Sequence, residues 1–161
     1  MKLSENFTLQ EMVHSHTANQ KRIVNEPNEA QIENLRILCE NVLQPLRDAL
    51  GPIHISSGFR SVKLNTAIGG SSSSQHCALK GAASDIDMGK RNAEVFNYIK
   101  DHLVWDQLIA EGVDSGGNMN WVHVSYNEKH NRKQILIAVF EKGKKVKYLP
   151  YSEELFKSIY G

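Results

Sequence analysis

Three short stretches put polar side chains where a strand-like pattern would favour apolar ones. They are Ser56-Ser57-Gly58-Phe59-Arg60-Ser61, Ser74-Gln75-His76 running on to Gly81-Ala82-Ala83-Ser84-Asp85, and Trp121-Val122-His123-Val124-Ser125. Between them they offer two imidazoles, a carboxylate and a guanidinium. Two neutral imidazoles and one carboxylate form a three-ligand set for zinc that keeps a fourth position for water. Zinc held in that way draws the pKa of water toward ~7, which gives a nucleophile able to attack an amide at neutral pH. A planar guanidinium such as that of Arg60 grips a carboxylate at two points and can stabilise a developing oxyanion. In the alternating stretch Trp121 to Tyr126, His123 and Ser125 fall on the face opposite Val122 and Val124, so the histidine can reach a cleft while the valines enter a core. Spacing alone is weak evidence: a chain with seven histidines and eighteen acids offers such pairs by chance, and a single strand histidine is more often a half-buried, satisfied residue.

The elements that must hold these side chains follow from periodicity and punctuation. Thr8 precedes Leu9-Gln10-Glu11-Met12-Val13 with Glu11 three residues on, the signature of a capped short helix. Pro27-Asn28 opens a long helix with Ile32, Leu35, Leu38, Cys39, Val42, Leu43 and Leu46 on one face. Pro45 should kink or tighten that helix, and Gly51-Pro52 ends it. Ile53 to Ser57 alternates as a half-buried strand does. Ser61 to Ile68 reads as a short helix closed by Gly69-Gly70. Ala82 to Met88 reads as a strand with Asp85 and Asp87 on one face. Ala93 to Leu103 is amphipathic and helical, and three further strands are expected at Gln107 to Ala110, Trp121 to Tyr126 and Gln134 to Glu141. Helices first, then a mostly antiparallel sheet crossed by one helix, make an α+β fold.

Length and composition bound the rest. The 161 residues suit one domain, divided into a helical lead-in (1–51), a sheet region (52–141) and a hairpin or tail (142–161). Apolar residues at 40% and charged residues at 23% exclude a disordered chain. A net charge of +1 gives no global field toward nucleic acid or a membrane surface. No apolar run approaches a membrane span, and the first residues lack the apolar segment of a secretory signal. Cys39 and Cys77 are too few for a disulfide framework and suit a reducing compartment. The cluster Lys142, Lys144, Lys145 and Lys147 reads as a solvated hairpin, with a salt-sensitive attraction for anionic polymer as its alternative.

Taken in order, SSGFRS (Ser56 to Ser61), LNTAIGG (Leu64 to Gly70), SQH (Ser74 to His76), GAASDID (Gly81 to Asp87) and WVHVSY (Trp121 to Tyr126) resemble the zinc D-Ala-D-Ala carboxypeptidases and the endolysin peptidases that share their fold. These are the LAS-type metallopeptidases, akin to hedgehog signalling domains. NFTLQEM (Asn6 to Met12) and LQPLR (Leu43 to Arg47) match the lead-in helices, and the resemblance covers roughly residues 3 to 140. It implies His76, Asp85 and His123 as zinc ligands and Arg60 as the group that binds a carboxylate or carbonyl oxygen of the peptide. Gln75 is expected either to donate to substrate or to order its own loop, and Ser125 to contact substrate. Two departures stand out. Cys77-Ala78-Leu79-Lys80 make the segment between His76 and Gly81 longer than in the family, a change that costs little closure entropy. Asn120 occupies a position where relatives often carry the acid that serves as general base. Glu111 is the expected replacement, with Asp114 behind it. Asp87 is a fallback ligand, and Cys77 a candidate fourth ligand that would close the site.

The resemblance implies a zinc-dependent peptidoglycan peptidase acting on the stem peptide, as carboxypeptidase or endopeptidase. It would be a monomer made without a signal and working at the wall after release, as phage or prophage lysins do, or carried on a virion. The competing expectation is a non-catalytic module of the same fold that keeps the metal and binds wall or peptide. A structural virion component is the third.

Overall fold

A computed structural model describes residues 1–161. The chain opens with two short helices, α1 (Leu9–Val13) and α2 (His16–Lys21), then α3 (Glu29–Leu38) and α4 (Gln44–Leu50). Strands follow as β1 (Ile55–Ser57), β2 (Ala82–Ile86), β3 (Gln107–Glu111), β4 (Trp121–Tyr126), β5 (Gln134–Val139) and β6 (Lys147–Pro150). Between them lie α5 (Val62–Ala67) and α6 (Asn92–His102), and α7 (Glu153–Tyr160) ends the chain. The fold is α+β, as the order of elements predicts.

Helix α3 starts on a reciprocal cap, in which the Asn28 side chain accepts from Gln31 N–H and the Gln31 side chain accepts from Asn28 N–H. The expected long helix is continuous but not uniform. Cys39–Leu43 form a π turn, with Gln44 N–H bonded to Cys39 O. Pro45, in the first turn of α4, has no N–H to give and crowds the preceding turn, and the widened turn accommodates it without breaking the helix.

The six strands form one sheet in the order β1-β2-β4-β3-β5-β6, with every neighbouring pair antiparallel except β3 and β5. Register settles which side chains share a face. Ile86, Val122 and Ala110 lie in one row, as do Val124, Leu108 and Ile135, all on the face covered by α3 and α6. There Leu35, Leu38, Val42, Leu43 and Leu46 meet Ile86, Val122, Val124, Leu108 and Ile137 in the buried core. The other face carries Asp85, His123, Ile109 and Leu136 in one row and Trp121, Glu111, Ala138 and Tyr148 in the next. The pleat therefore sorts chemistry onto one side and the core onto the other.

Helices α2 and α7 have no counterpart in the sequence reading. In residues 142–161, expected as a hairpin or tail, β6 pairs antiparallel with β5, and α7 follows, whose Phe156 stacks on Phe96 of α6 at 5.1 Å between centroids. Lys142, Lys144 and Lys145 lie in the exposed turn between β5 and β6, with Lys144 paired to Glu141 at 3.1 Å.

Candidate metal centre

His76 sits on a single 3₁₀ turn (Gln75–Cys77) capped by the Ser74 hydroxyl, Asp85 is on β2 and His123 on β4. The β2–β4 register puts Asp85 directly opposite His123. Asp85 Oδ1 is 3.0 Å from His123 Nδ1 and 3.3 Å from His76 Nε2, and one ligand atom from each of the three lies within 4.8 Å of the others. Tetrahedral zinc with ligands at ~2.0–2.1 Å requires them roughly 3.3 Å apart, and both separations from Asp85 Oδ1 match that spacing. His76 Nδ1 is 2.7 Å from Gly58 O and donates to it, which leaves Nε2 as the acceptor nitrogen. That Nε2 is buried and has no hydrogen bond. A buried nitrogen without a partner is costly, and a cation between it and Asp85 removes the cost. Burial alone would raise the Asp85 pKa, but the two imidazoles outweigh it and hold the carboxyl well below the usual carboxylate range.

The local backbone explains how three distant residues converge. Gly58 presents its carbonyl to His76 while pressed against α1: a Cβ there would lie 2.4 Å from Met12 O, so only glycine fits. The long segment after His76 is tied down by α3, where Gln31 Nε2 donates to Cys77 O at 3.0 Å and Asn34 Nδ2 to Ala78 O at 2.9 Å. Gly81 then enters β2 at φ +77°, where a Cβ would meet Tyr126 O at 2.2 Å.

A cleft of roughly 600 Å³ opens over His76, Asp85 and His123 and runs across the sheet toward β6. Arg60 lines one end; its Nε is buried without a partner, and Nη2 reaches only Ser74 Oγ at 3.5 Å. Burial draws its pKa down and the negative charge of Asp85 opposes this. The guanidinium thus faces the cleft with no carboxylate of the protein to neutralise it. Glu111 lines the same cleft from the end of β3, its Oε2 accepting from Trp121 Nε1 at 2.6 Å. Burial pushes its pKa up to about 7, against the opposing charge of His123.

A model of the peptidase M15 family, described as "Peptidase M15", matches residues 5–125. The chain belongs to the peptidase M15 family. A comparison with curated proteins finds no match. Members of this family are metal-dependent, and His76, Asp85 and His123 are the one group of three such side chains in the chain able to hold an ion.

In this M15 peptidase the remaining expected site residues are placed as follows. Gln75 lines the cleft, but its amide donates to Asp106 Oδ2 at 2.7 Å and to Lys80 O at 2.8 Å, so it orders its loop. Ser125 does not reach the cleft. It is fully buried and its Oγ accepts at 3.0 Å from the N–H of Gln107 on the neighbouring strand β3, so the substrate contact expected of it is withdrawn. Asp87 lies past the end of β2, where its Oδ1 accepts from Gly89 N–H and Asn92 Nδ2 and starts α6. Asp114 is used in its own turn, accepting from Gly116 and Asn118 N–H. Cys77 is buried outside the ligand group.

Several cleft residues carry no sequence signal. Asp106, just before β3, accepts from Arg132 N and Nε and from Gln75, which binds the His76 loop to the β4–β5 connection. Arg132, Gln134, Leu136 and Tyr148 line the far half of the cleft. All four lie beyond the matched residues; the β3–β5–β6 pairing places Gln134, Leu136 and Tyr148, and Asp106 holds Arg132.

Proposed function

We propose that this chain is a zinc-dependent peptidase that hydrolyses an amide bond of the cell-wall stem peptide. The observation that carries the reading is the convergence of His76 Nε2, Asp85 Oδ1 and His123 Nδ1 in a cleft that also holds an unneutralised Arg60 and a buried Glu111. Zinc, when bound, supplies Lewis acidity toward a peptide carbonyl and toward water.

The chain's own residues do the rest. Arg60 anchors a carboxylate or carbonyl oxygen of the peptide through its in-plane donors. Glu111, with Oε2 held by the Trp121 indole N–H, uses its other oxygen to take the proton of the attacking water and hand it to the departing amine. Its raised pKa suits that exchange, since a group titrating near neutrality can both accept and return a proton. Gly58 O fixes the His76 tautomer, and the β2–β4 register sets His123 opposite Asp85.

Asn120 cannot act as a base, which is the feature that favours a non-catalytic binding module. A carboxylate already in the cleft at Glu111 favours the peptidase instead. The test is digestion of purified muropeptides, read by mass spectrometry, with the metal-free protein, with added zinc and with His76→Ala. Zinc-dependent loss of one stem-peptide bond, absent in His76→Ala, is the expected result. The bond lost separates a carboxypeptidase, where Arg60 grips a free C-terminus, from an endopeptidase. A zinc-loaded, folded protein that releases no fragment refutes the reading.

A further inference from the structure

The far wall of the cleft has no assigned role. In the row Trp121–Glu111–Ala138–Tyr148, cross-strand partners point to the same face, and Ala138 between Glu111 and Tyr148 presents only a methyl group. Ala138 is itself buried, and the cleft floor here is made by Ile109 and Leu136 of the adjacent row, with Tyr148 lining the same cleft. Tyr148, a large aromatic residue lining the cleft, is 52% exposed. The hydroxyls of Tyr151 and Tyr160 are engaged within the chain, with Lys100 Nζ and Gly112 O, whereas that of Tyr148 has no such partner. Burial and the negative charges of Glu111 and Asp85 raise its pKa, so the phenol keeps its proton and remains a donor.

Resting on the peptidase reading above, we propose that Tyr148 is a specificity-determining residue that binds the substrate peptide at a distance from the scissile bond, packing its ring on the peptide and donating its O–H to a peptide carbonyl. Strand β6 is three strand spacings from β4, which carries His123, or about 14 Å at the usual ~4.8 Å. An extended peptide covers that distance in roughly four residues. The contact therefore discriminates by length: a peptide long enough to cross β5 meets Tyr148, and a short one cut at the metal centre does not. An amphipathic ring of low conformational cost is well suited to such an anchor.

The experiment compares the zinc-loaded wild-type chain with Tyr148→Ala, Tyr148→Val and Tyr148→Phe. Steady-state kinetics are measured on a stem pentapeptide and on the shortest peptide that wild type cleaves, and calorimetric titration of the pentapeptide is run on the metal-free proteins. Tyr148→Val keeps the strand preference of an edge position, so a fold defect in the alanine variant does not stop the test. Expected are a roughly tenfold rise in KM for the pentapeptide with Ala and Val, kcat within twofold, and unchanged kinetics on the short peptide. The phenylalanine variant, retaining the ring, should show a smaller rise. Pentapeptide binding and KM within twofold of wild type in the Ala and Val variants overturn the proposal, as does an equal loss on both peptides. If wild type cleaves neither peptide, the peptidase reading has failed and calorimetry decides separately. Binding that weakens in the Val variant then sustains the contact, and equal or undetectable binding ends it.

Discussion

Glu111 combines burial with a carboxylate that must be charged to act, and the two requirements conflict in a measurable way. Its folded pKa of about 7 lies above the ~4.3 of an unfolded glutamate. Below the lower value the group is neutral in both states and has no effect on stability. As pH rises through the window between them, the unfolded chain ionises first and the native state loses stability. Glu111→Gln removes the titration while leaving an oxygen for the Trp121 indole. The variant should therefore stabilise the metal-free protein at pH 8 by on the order of 1–3 kcal/mol and be neutral at pH 4, as read by urea midpoints. Its turnover should drop by ~10²–10⁴. A bound dication opposes the rise in the Glu111 pKa, so the acid limb of wild-type kcat/KM should lie at or below about pH 7. Arg60→Lys keeps the charge but not the fork, and a KM rise of roughly tenfold at constant metal content is the expected result. The candidate ligands were legible in the sequence because His123 and Asp85 fall in strand-like stretches and, with His76, in an ordered set of motifs that resembles a known family. Tyr148 was not, since an aromatic residue on an edge strand carries the same pattern whether it faces a cleft or solvent.

Among the elements, the loop from Ser74 to Gly81 gains its order from elsewhere. Gln31 and Asn34 of α3 hold its carbonyls, Gly58 holds the His76 ring, and Asp106 holds Gln75. These ties hold the segment between His76 and Gly81 in place despite its length. Gly58→Ala would push the segment away from Met12 O and misplace the His76 ring, and zinc affinity should fall by roughly 10- to 100-fold, measured by competition with a chromogenic chelator. Asp106 has its pKa lowered: burial opposes this, but the bonds from Arg132 and Gln75 prevail. The sequence showed where most strands and helices begin, because Gly, Pro and alternation mark them. It did not reveal the π turn, which follows from how one helix accommodates Pro45. Helix α7 was within reach, since Leu155, Phe156, Ile159 and Tyr160 carry helical spacing behind Ser152, which caps the helix by accepting from Leu155 N–H. Pairing partners such as Asp106 with Arg132 depend on which strands become neighbours, and local pattern does not encode that.

At the scale of the molecule, the metal set joins three separate segments, so its occupancy and the stability of the fold are linked. At a thousandfold excess of zinc over its dissociation constant the native state gains about 4 kcal/mol, and chelation should lower the melting temperature by on the order of 10 °C in wild type and hardly at all in His76→Ala. No helix is long and apolar enough to cross a membrane. The parallel pairing of β3 with β5 has a consequence for how the chain is made. Once β3 and β4 have closed their hairpin, the outer rim of β3 stays open until residues 134–139 arrive. A nascent or clipped chain ending near residue 126 would hold His76, Asp85, His123 and Arg60 yet display the unsatisfied amides of Gln107–Glu111 as a sticky border inviting other copies to dock. Such a fragment should sediment as aggregates where the full chain does not, and a synthetic peptide of residues 134–150 added during refolding should restore part of the soluble yield.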